Sequence, residues 1–199
     1  MMLIEQTTVP AAALPVLPFK DHLRLGTGFA DDGLQDSVLE QLLRASMAAI
    51  EARTGKVLIS RDFLWSLTGW REPDQQALPV APVTAITAVS TFDRLGDETL
   101  IDASRYVLQR DDHRPRLVST GACLPDIPPG GLAEIGFQAG FGAAWGDIPA
   151  DLLQAVFLLG AHYYENRNET APAGSAMPFG VNALIARYRT VRILGGGAS

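Results

Sequence analysis

The segment GAHYYENRNE, residues 160–169, holds the densest set of side chains that could do chemistry in this 199-residue chain. His162, with Glu165 or Asn166 nearby, offers the nitrogen and oxygen ligands that a metal ion takes. The spacing is not His-Glu-x-x-His, in which two histidines share one face of a helix. The other two histidines lie in unrelated segments. We therefore interpret the cluster as the end of a packing helix and predict no metal site.

Other patterns typical of catalytic sites are incomplete. The glycine-rich segment AGFGAAWGD lies between a predicted strand and a predicted helix, but it lacks the Gly-Lys-Ser/Thr of a phosphate-binding loop. Ser119 and Ser175 have no Gly-x-Ser-x-Gly context, so no nucleophile elbow is predicted. Cys123, the only cysteine, has no basic neighbour that would activate its thiol. The sequence therefore predicts no catalytic residue, no cofactor and no enzyme activity.

The composition is that of a globular protein. Hydrophobic residues make up 47% of the chain, charged residues make up 19%, and the net charge is −6. The acidic balance argues against tight binding to a nucleic-acid backbone. The longest apolar run, residues 155–161, is too short to span a bilayer, and the N-terminus lacks the basic region of a signal peptide. We expect a protein that is made in the cytoplasm and has no membrane partner.

Helical periodicity marks two long segments and two short ones. In residues 32–54, Asp32 is placed to cap a helix and Gly55 to end it. In residues 147–167, Asp147 is expected at the N-cap. Shorter helices are predicted at FKDHLRL and within VNALIARYRTVRIL. The apolar faces of the long helices are predicted to pack together through four side chains, namely Leu42, Ile50, Val156 and Phe157.

Between the long helices the period changes to the alternation of β-strands. Strands are predicted around residues 63–67, 83–92, 106–108, 116–118 and 132–142. The segment DRLGD, residues 93–97, has the composition of a turn. Residues 57–142 are therefore predicted to form a small, mostly antiparallel β unit.

These elements predict an α+β fold with a helical core, made of two long helices plus short helices, and an inserted β unit. The predicted core spans residues 19–169, with helical parts at 19–55 and 147–169 and the β insertion at 57–142. Residues 1–18 contain three prolines without a helical period, so we expect an extended N-terminal arm. Residues 170–199 form the predicted C-terminal arm.

The C-terminal arm combines apolar anchors with three arginines. The residues concerned are Val181, Leu184, Ile185, Arg187, Tyr188, Arg189 and Arg192. A free arm with this much apolar surface is expected to dock in a groove of a partner, where its arginines would pair with carboxylates. The alternative is that the segment always covers the protein's own core.

Six segments in order resemble a known family. They are FKDHLRL, DDGLQDSVLEQLLRASMAAIEARTGKVLISR, LPVAPVTAITAVSTFD, QAGFG, IPADLLQAVFLLGAHYYENR and PFGVNALIARYR. Their order and spacing over residues 17–192 resemble the head–tail connector (adaptor) proteins of long-tailed phages, prophages and gene transfer agents, which are phage-derived particles.

The resemblance implies a structural role without catalytic residues. Such proteins form a ring, usually of twelve copies, beneath the portal protein, which would be the partner of the C-terminal arm. The ring continues the channel through which DNA passes, and it receives the stopper or another neck or tail protein. The resemblance also implies assembly in the bacterial cytoplasm and a final place in the neck of the particle. The β unit is an elaboration that not every member carries to this extent.

Two other functions remain open at this point. A stopper or tail-completion protein also forms a ring in the neck, but such proteins tend to be β-rich and to lack two long helices. A small hydrolase or nuclease encoded in a phage-like gene cluster would need a metal site or an activated nucleophile, and the sequence offers neither.

Overall fold

The computed structural model describes residues 1–25, 33, 35–166 and 177–189. The described α-helices are α1 (Val16–His22), α2 (Asp36–Thr54), α3 (Ala150–Glu165) and α4 (Phe179–Ile185). Short 3-10 helices cover Ala11–Ala13, Ala103–Arg105, Trp145–Asp147 and Ala186–Tyr188. None of the described helices combines the length and the apolar composition needed to cross a membrane.

The described strands form two antiparallel sheets. They are β1 (Met2–Glu5), β2 (Arg61–Leu67), β3 (Gln75–Ala77), β4 (Val83–Phe92), β5 (Glu98–Leu100), β6 (Tyr106–Gln109), β7 (Arg116–Ser119) and β8 (Leu132–Ala139). The larger sheet has the order β1-β2-β8-β4-β5, and the smaller one has the order β3-β7-β6. The predicted α+β class is confirmed, and β2 to β8 lie in the chain between α2 and α3.

The β unit has its own hydrophobic cluster, built from side chains of both sheets. Phe63, Trp65 and Leu67 of β2 are all buried in it, as their alternating pattern predicts. Phe63 stacks on Phe137 of β8 with ring centroids 5.5 Å apart. Leu117 of the smaller sheet is fully buried in the same cluster. The cluster therefore fills the space between the two sheets.

The hairpin between β4 and β5 forms at the predicted turn. Asp93 Oδ1 accepts hydrogen bonds from the backbone N–H groups of Leu95 and Asp97, at 2.7 and 3.0 Å. Gly96 has a φ of 89°, a conformation that glycine adopts at little cost. The strand before the turn spans Val83–Phe92, the limits predicted from the sequence.

A second hydrophobic cluster lies among the helices, where α2 packs against α3. Of the four side chains predicted to join the long helices, Ile50 and Val156 are fully buried in this cluster, and Leu42 and Phe157 are partly buried against it. Close packing of α1 on α3 depends on Gly160, since a Cβ atom there would lie 2.7 Å from Phe19 Cζ. Phe157 stacks on Trp145 with ring centroids 5.5 Å apart and extends the cluster toward the start of α3.

The limits of α2 follow the sequence signals in part. Gly55 ends the helix in the left-handed conformation, with a φ of 69°, as predicted. The helix begins at Asp36, and Asp32, the predicted cap, lies outside the described residues.

The predicted N-cap of α3 is wrong. Asp147 belongs to the 3-10 helix that precedes α3, and its Oδ2 accepts a hydrogen bond from the Ala144 N–H at 2.9 Å. Pro149 occupies the N-cap position of α3, and it provides no side-chain hydrogen bond. The Asp147 side chain stabilises the 3-10 helix instead, because this tight turn brings the Ala144 N–H within hydrogen-bonding distance of its carboxylate.

Residues 1–18, predicted as an extended arm, are built into both parts of the fold. Residues 2–5 pair with β2 as the edge strand β1. Val9 and Leu14 are buried in the helical cluster. α1 begins earlier than the helix predicted from FKDHLRL, because Pro18 lies in the first helical turn, where no hydrogen bond from its nitrogen is needed.

The chain enters and leaves the β unit at one place. Ile59 forms a parallel bridge with Gly142, and the Ser60 N–H donates to the Gly142 carbonyl at 2.8 Å. Gly140 makes this approach possible, because a Cβ atom there would lie 2.4 Å from Ser60 Cα. The two crossing segments therefore run side by side between the helical cluster and the sheets.

Candidate interaction surfaces

The apolar anchors of the predicted C-terminal arm are packed against the protein's own helices. Val181, Ile185 and Tyr188 are buried in the helical cluster, and Leu184 is half-buried against it. In this structure α4 packs on α3. The interpretation of residues 179–188 as a free arm is therefore corrected, because these side chains complete the apolar face of α3.

The arginines of the same segment differ in their contacts. Arg187 Nε lies 2.7 Å from Asp151 Oδ2 in the first turn of α3. The Tyr188 hydroxyl donates to Asp151 Oδ1, also at 2.7 Å. Burial raises the pKa of the Tyr188 phenol, and its hydrogen bond to Asp151 adds to this effect. Arg189 is exposed, and Arg192 lies outside the described residues.

The cluster at the end of α3 forms local contacts. His162 Nδ1 lies 2.9 Å from the amide nitrogen of Asn166, which also donates to the His162 carbonyl. The Tyr164 hydroxyl donates to Gln35 at 3.1 Å. Arg167 lies outside the described residues. Across the described part of the chain, no group of three or more His, Cys, Asp or Glu side chains is arranged to hold a metal ion.

An ion-pair network centred on the buried Arg61 joins the sheet to the helices. Arg61 on β2 contacts Glu51 on α2 at 2.6 Å and Glu5 on β1 at 2.9 Å. The Leu58 N–H donates to the same Glu51 carboxylate at 2.8 Å. The Arg61 guanidinium also lies over the Phe63 ring, 5.6 Å from its centroid. Sequence reasoning missed this network, since its members come from three elements and show no shared spacing.

A buried lysine lies at the same junction between the helices and the β unit. Lys56 is almost fully buried, and its Nζ donates to the Asp112 carbonyl and lies 3.2 Å from His113 Nδ1. Burial lowers the pKa of Lys56, while Asp112 and Asp111 act in the opposite direction. The tip of the β6–β7 hairpin is thereby held against the end of α2.

Exposed apolar side chains lie at both edges of the larger sheet. We call Met1, Met2 and Ile4 the β1 patch, and Leu95 and Leu100 the hairpin patch. Sequence reasoning missed both as surfaces. The apolar run MMLI at the N-terminus is a signal for the first, whereas the two leucines of the hairpin patch stand alone among polar residues.

Comparison with known proteins gives one consistent result. No protein-family model and no curated protein sequence matches the chain. Among solved structures, a chain in the neck of an empty GTA particle, computed with C6 symmetry, is 58% identical, with a TM-score of 0.89. A chain in the virion of a native gene transfer agent (GTA) particle is 57% identical, with a TM-score of 0.87. A chain in the neck of a native GTA particle, computed with C12 symmetry, is 52% identical, with a TM-score of 0.84. Each match covers 98% of this chain and 99% of the other.

The chain belongs to the neck proteins of gene transfer agents. Membership in this family makes it a structural protein and not an enzyme. The symmetry of the related necks implies a symmetric ring of copies. For a structural protein of the neck, the candidate sites are exposed surfaces, and the described residues offer three: the exposed arginines near the C-terminus, the β1 patch and the hairpin patch.

Proposed function

We propose that this neck protein is the head–tail connector (adaptor) of a phage-like gene transfer particle. Twelve copies form a ring directly below the portal, continue the DNA channel and join the capsid to the next neck or tail protein. The protein assembles in the bacterial cytoplasm and ends in the neck of the particle.

The observation that carries this proposal is the full-length similarity to chains in necks computed with C12 and C6 symmetry. A ring of twelve copies is compatible with both symmetries. Each copy of such a ring must present two different, complementary surfaces to its neighbours. The order of elements, with the β unit between α2 and α3, supports the adaptor among neck proteins, since the resemblance to adaptors includes both long helices.

The charge of the protein suits a DNA channel. Because its net charge is −6, the subunit as a whole does not attract the phosphate backbone of DNA. Weak attraction favours passage of DNA, because each phosphate contact adds to binding that would hold the DNA in place.

The portal contact is proposed for the C-terminal part, residues 170–199, with residues 19–169 as the body of the ring subunit. Arg187 and Arg189 are exposed on the described part of this segment. Val181 and Ile185 fix its position on α3. The proposed contact is thus made by arginines, including Arg192, that pair with portal carboxylates while the apolar anchors stay in the subunit's own core.

A labelling experiment tests the position of the ring. Cys123 is exposed and is the only cysteine of the chain, so a maleimide–gold label marks each subunit at one point. Electron microscopy of labelled particles should place the label in the layer next to the portal, and the label should be absent in a Cys123→Ala variant. A label one layer further from the capsid identifies a stopper, and the adaptor assignment then fails.

A further inference from the structure

The two outer strands of the larger sheet have no further strand partner within the described part of the chain. At one edge, β1 exposes 56% of Met2 and 40% of Ile4. At the other edge, 77% of Leu95 and 68% of Leu100 are exposed. Apolar side chains with this exposure, gathered at free sheet edges, are typical of association surfaces.

One residue of each patch, Met2 and Leu100, lies at an end of a single row across the sheet. Met2 pairs with Ser66, Ser66 with Glu134, Glu134 with Ser90, and Ser90 with Leu100. Since directly paired residues point to the same face, Met2 and Leu100 project from the same side of the sheet. Four strand spacings separate them by roughly 19 Å.

We propose that the β1 patch of one copy packs against the hairpin patch of the next copy in the ring. This inference rests on the proposed function only in requiring a ring of copies. A cyclic ring is built from head-to-tail contacts, so each subunit needs two unlike patches at different places on its surface. The β1 patch and the hairpin patch meet this requirement, because they lie at opposite edges of the sheet. A single foreign partner docked at one edge would leave the other patch without an occupant.

The twist of a β-sheet decides whether the two edges can pair through their backbones or must meet through side chains. Each added strand turns by about 20–25°, so a sheet continued from copy to copy would rotate by on the order of 100° per subunit. A ring of twelve copies turns each subunit by only about 30°. The two edges therefore meet through side chains and do not form one continuous sheet. The three-residue length of β5 fits this, because it offers few backbone groups for pairing.

Disulfide cross-linking in assembled particles tests the contact. In a Cys123→Ala background, Met2→Cys is combined with Leu100→Cys, and a second variant combines Ile4→Cys with Leu95→Cys. After oxidation, at least one pair should shift most of the subunit into a ladder of multimers on a denaturing gel. Met2→Cys or Leu100→Cys alone should give no ladder. The matched control combines Met2→Cys with Val107→Cys, which is also exposed but lies on the smaller sheet, and it should give none.

Electron microscopy of the same particles separates the possible failures. If the neck shows a ring of copies and neither cysteine pair yields a ladder, the proposed contact is wrong and the ring remains. If Met2→Cys alone yields dimers, the contact is two-fold symmetric and the head-to-tail assignment is wrong. If the neck shows no ring of copies although the protein is present in the particles, the ring fails, and the proposed function fails with it.

Discussion

Both carboxylate oxygens of Glu51 lie 2.6 Å from Arg61 Nη2, and this pair joins α2 to β2 where the helical cluster meets the β unit. Arg61 Nη1 contacts Glu5 on β1 at 2.9 Å. One guanidinium thus ties three elements together. Arg61 is almost fully buried, whereas Glu5 is more than one-third exposed, so the two ion pairs contribute unequally to stability.

Replacing Arg61 with Met should lower the free energy of unfolding by about 3–5 kcal/mol, because Glu51 would remain buried without its cation. Urea denaturation of the purified subunit measures this. As the matched control, Glu5→Gln should lower it by less than about 1 kcal/mol, since an exposed pair contributes little. The double variant Glu51→Gln/Arg61→Met should recover part of the loss. Equal losses for Arg61→Met and Glu5→Gln would contradict this account.

Replacing Lys56 with Met should change how stability depends on pH. Burial lowers the pKa of Lys56 in the folded state below its ordinary value of 10.5. At a pH between the folded-state pKa and 10.5, the unfolded state therefore binds more protons than the folded state does. The contribution of the Lys56 amine to stability is therefore fully present above pH 10.5 and is lost as the pH falls through the folded-state pKa. The wild type should gain stability relative to Lys56→Met as the pH rises from 7 toward 10.5. Parallel Tm curves for the two proteins over this range would show that Lys56 is not desolvated.

Replacing Gly160 with Ala should destabilise the subunit by about 1–3 kcal/mol, the usual effect of overpacking a core. In an open helix the same change would stabilise by up to about 1 kcal/mol. Gly180 provides that control, since a Cβ atom there would meet only Leu158 Cδ1, at 3.9 Å. Thermal melts should show a lower Tm for Gly160→Ala and an unchanged or higher Tm for Gly180→Ala. A stabilised Gly160→Ala variant would mean that Phe19 does not pack on α3.

Two truncations separate core packing from portal contact. Deleting residues 180–199 removes the buried Val181, Ile185 and Tyr188, so the subunit should unfold or aggregate. Deleting residues 190–199 keeps these anchors, so the subunit should stay folded, as circular dichroism can show. Particles carrying the shorter deletion should lack tails if the last residues contact the portal. Normal tails on these particles would limit the contact to Arg187 and Arg189.

The limits of helices and strands were predicted well where a clear residue pattern ends at a residue that favours a turn or a helix end. The limits of β4 follow from β-branched residues that run up to the turn at Asp93. The end of α2 follows from Gly55. In both cases neighbouring residues alone decide the conformation, so the sequence contains the information needed.

Segments near the chain ends were predicted less well, because their conformation depends on distant partners. The strand β1 exists because β2 offers its edge, which lies about 60 residues further along the chain. The anchors in α4 were identified as apolar, yet nothing in their spacing says whether a partner or the protein's own α3 covers them. The Arg61 network was not predicted for the same reason, because its three members come from three different elements.

The adjacency of Ile59 and Gly142 makes the β unit a graftable module. Its two ends stand so close that a tight turn could splice α2 to α3 with little rerouting, and a foreign domain with neighbouring termini could be inserted in its place. Recombination between lineages could thus enlarge, shrink or exchange this module, provided that the new unit supplies partners for β1 and for Glu51. An engineer could use the same junction to attach cargo to a particle's neck.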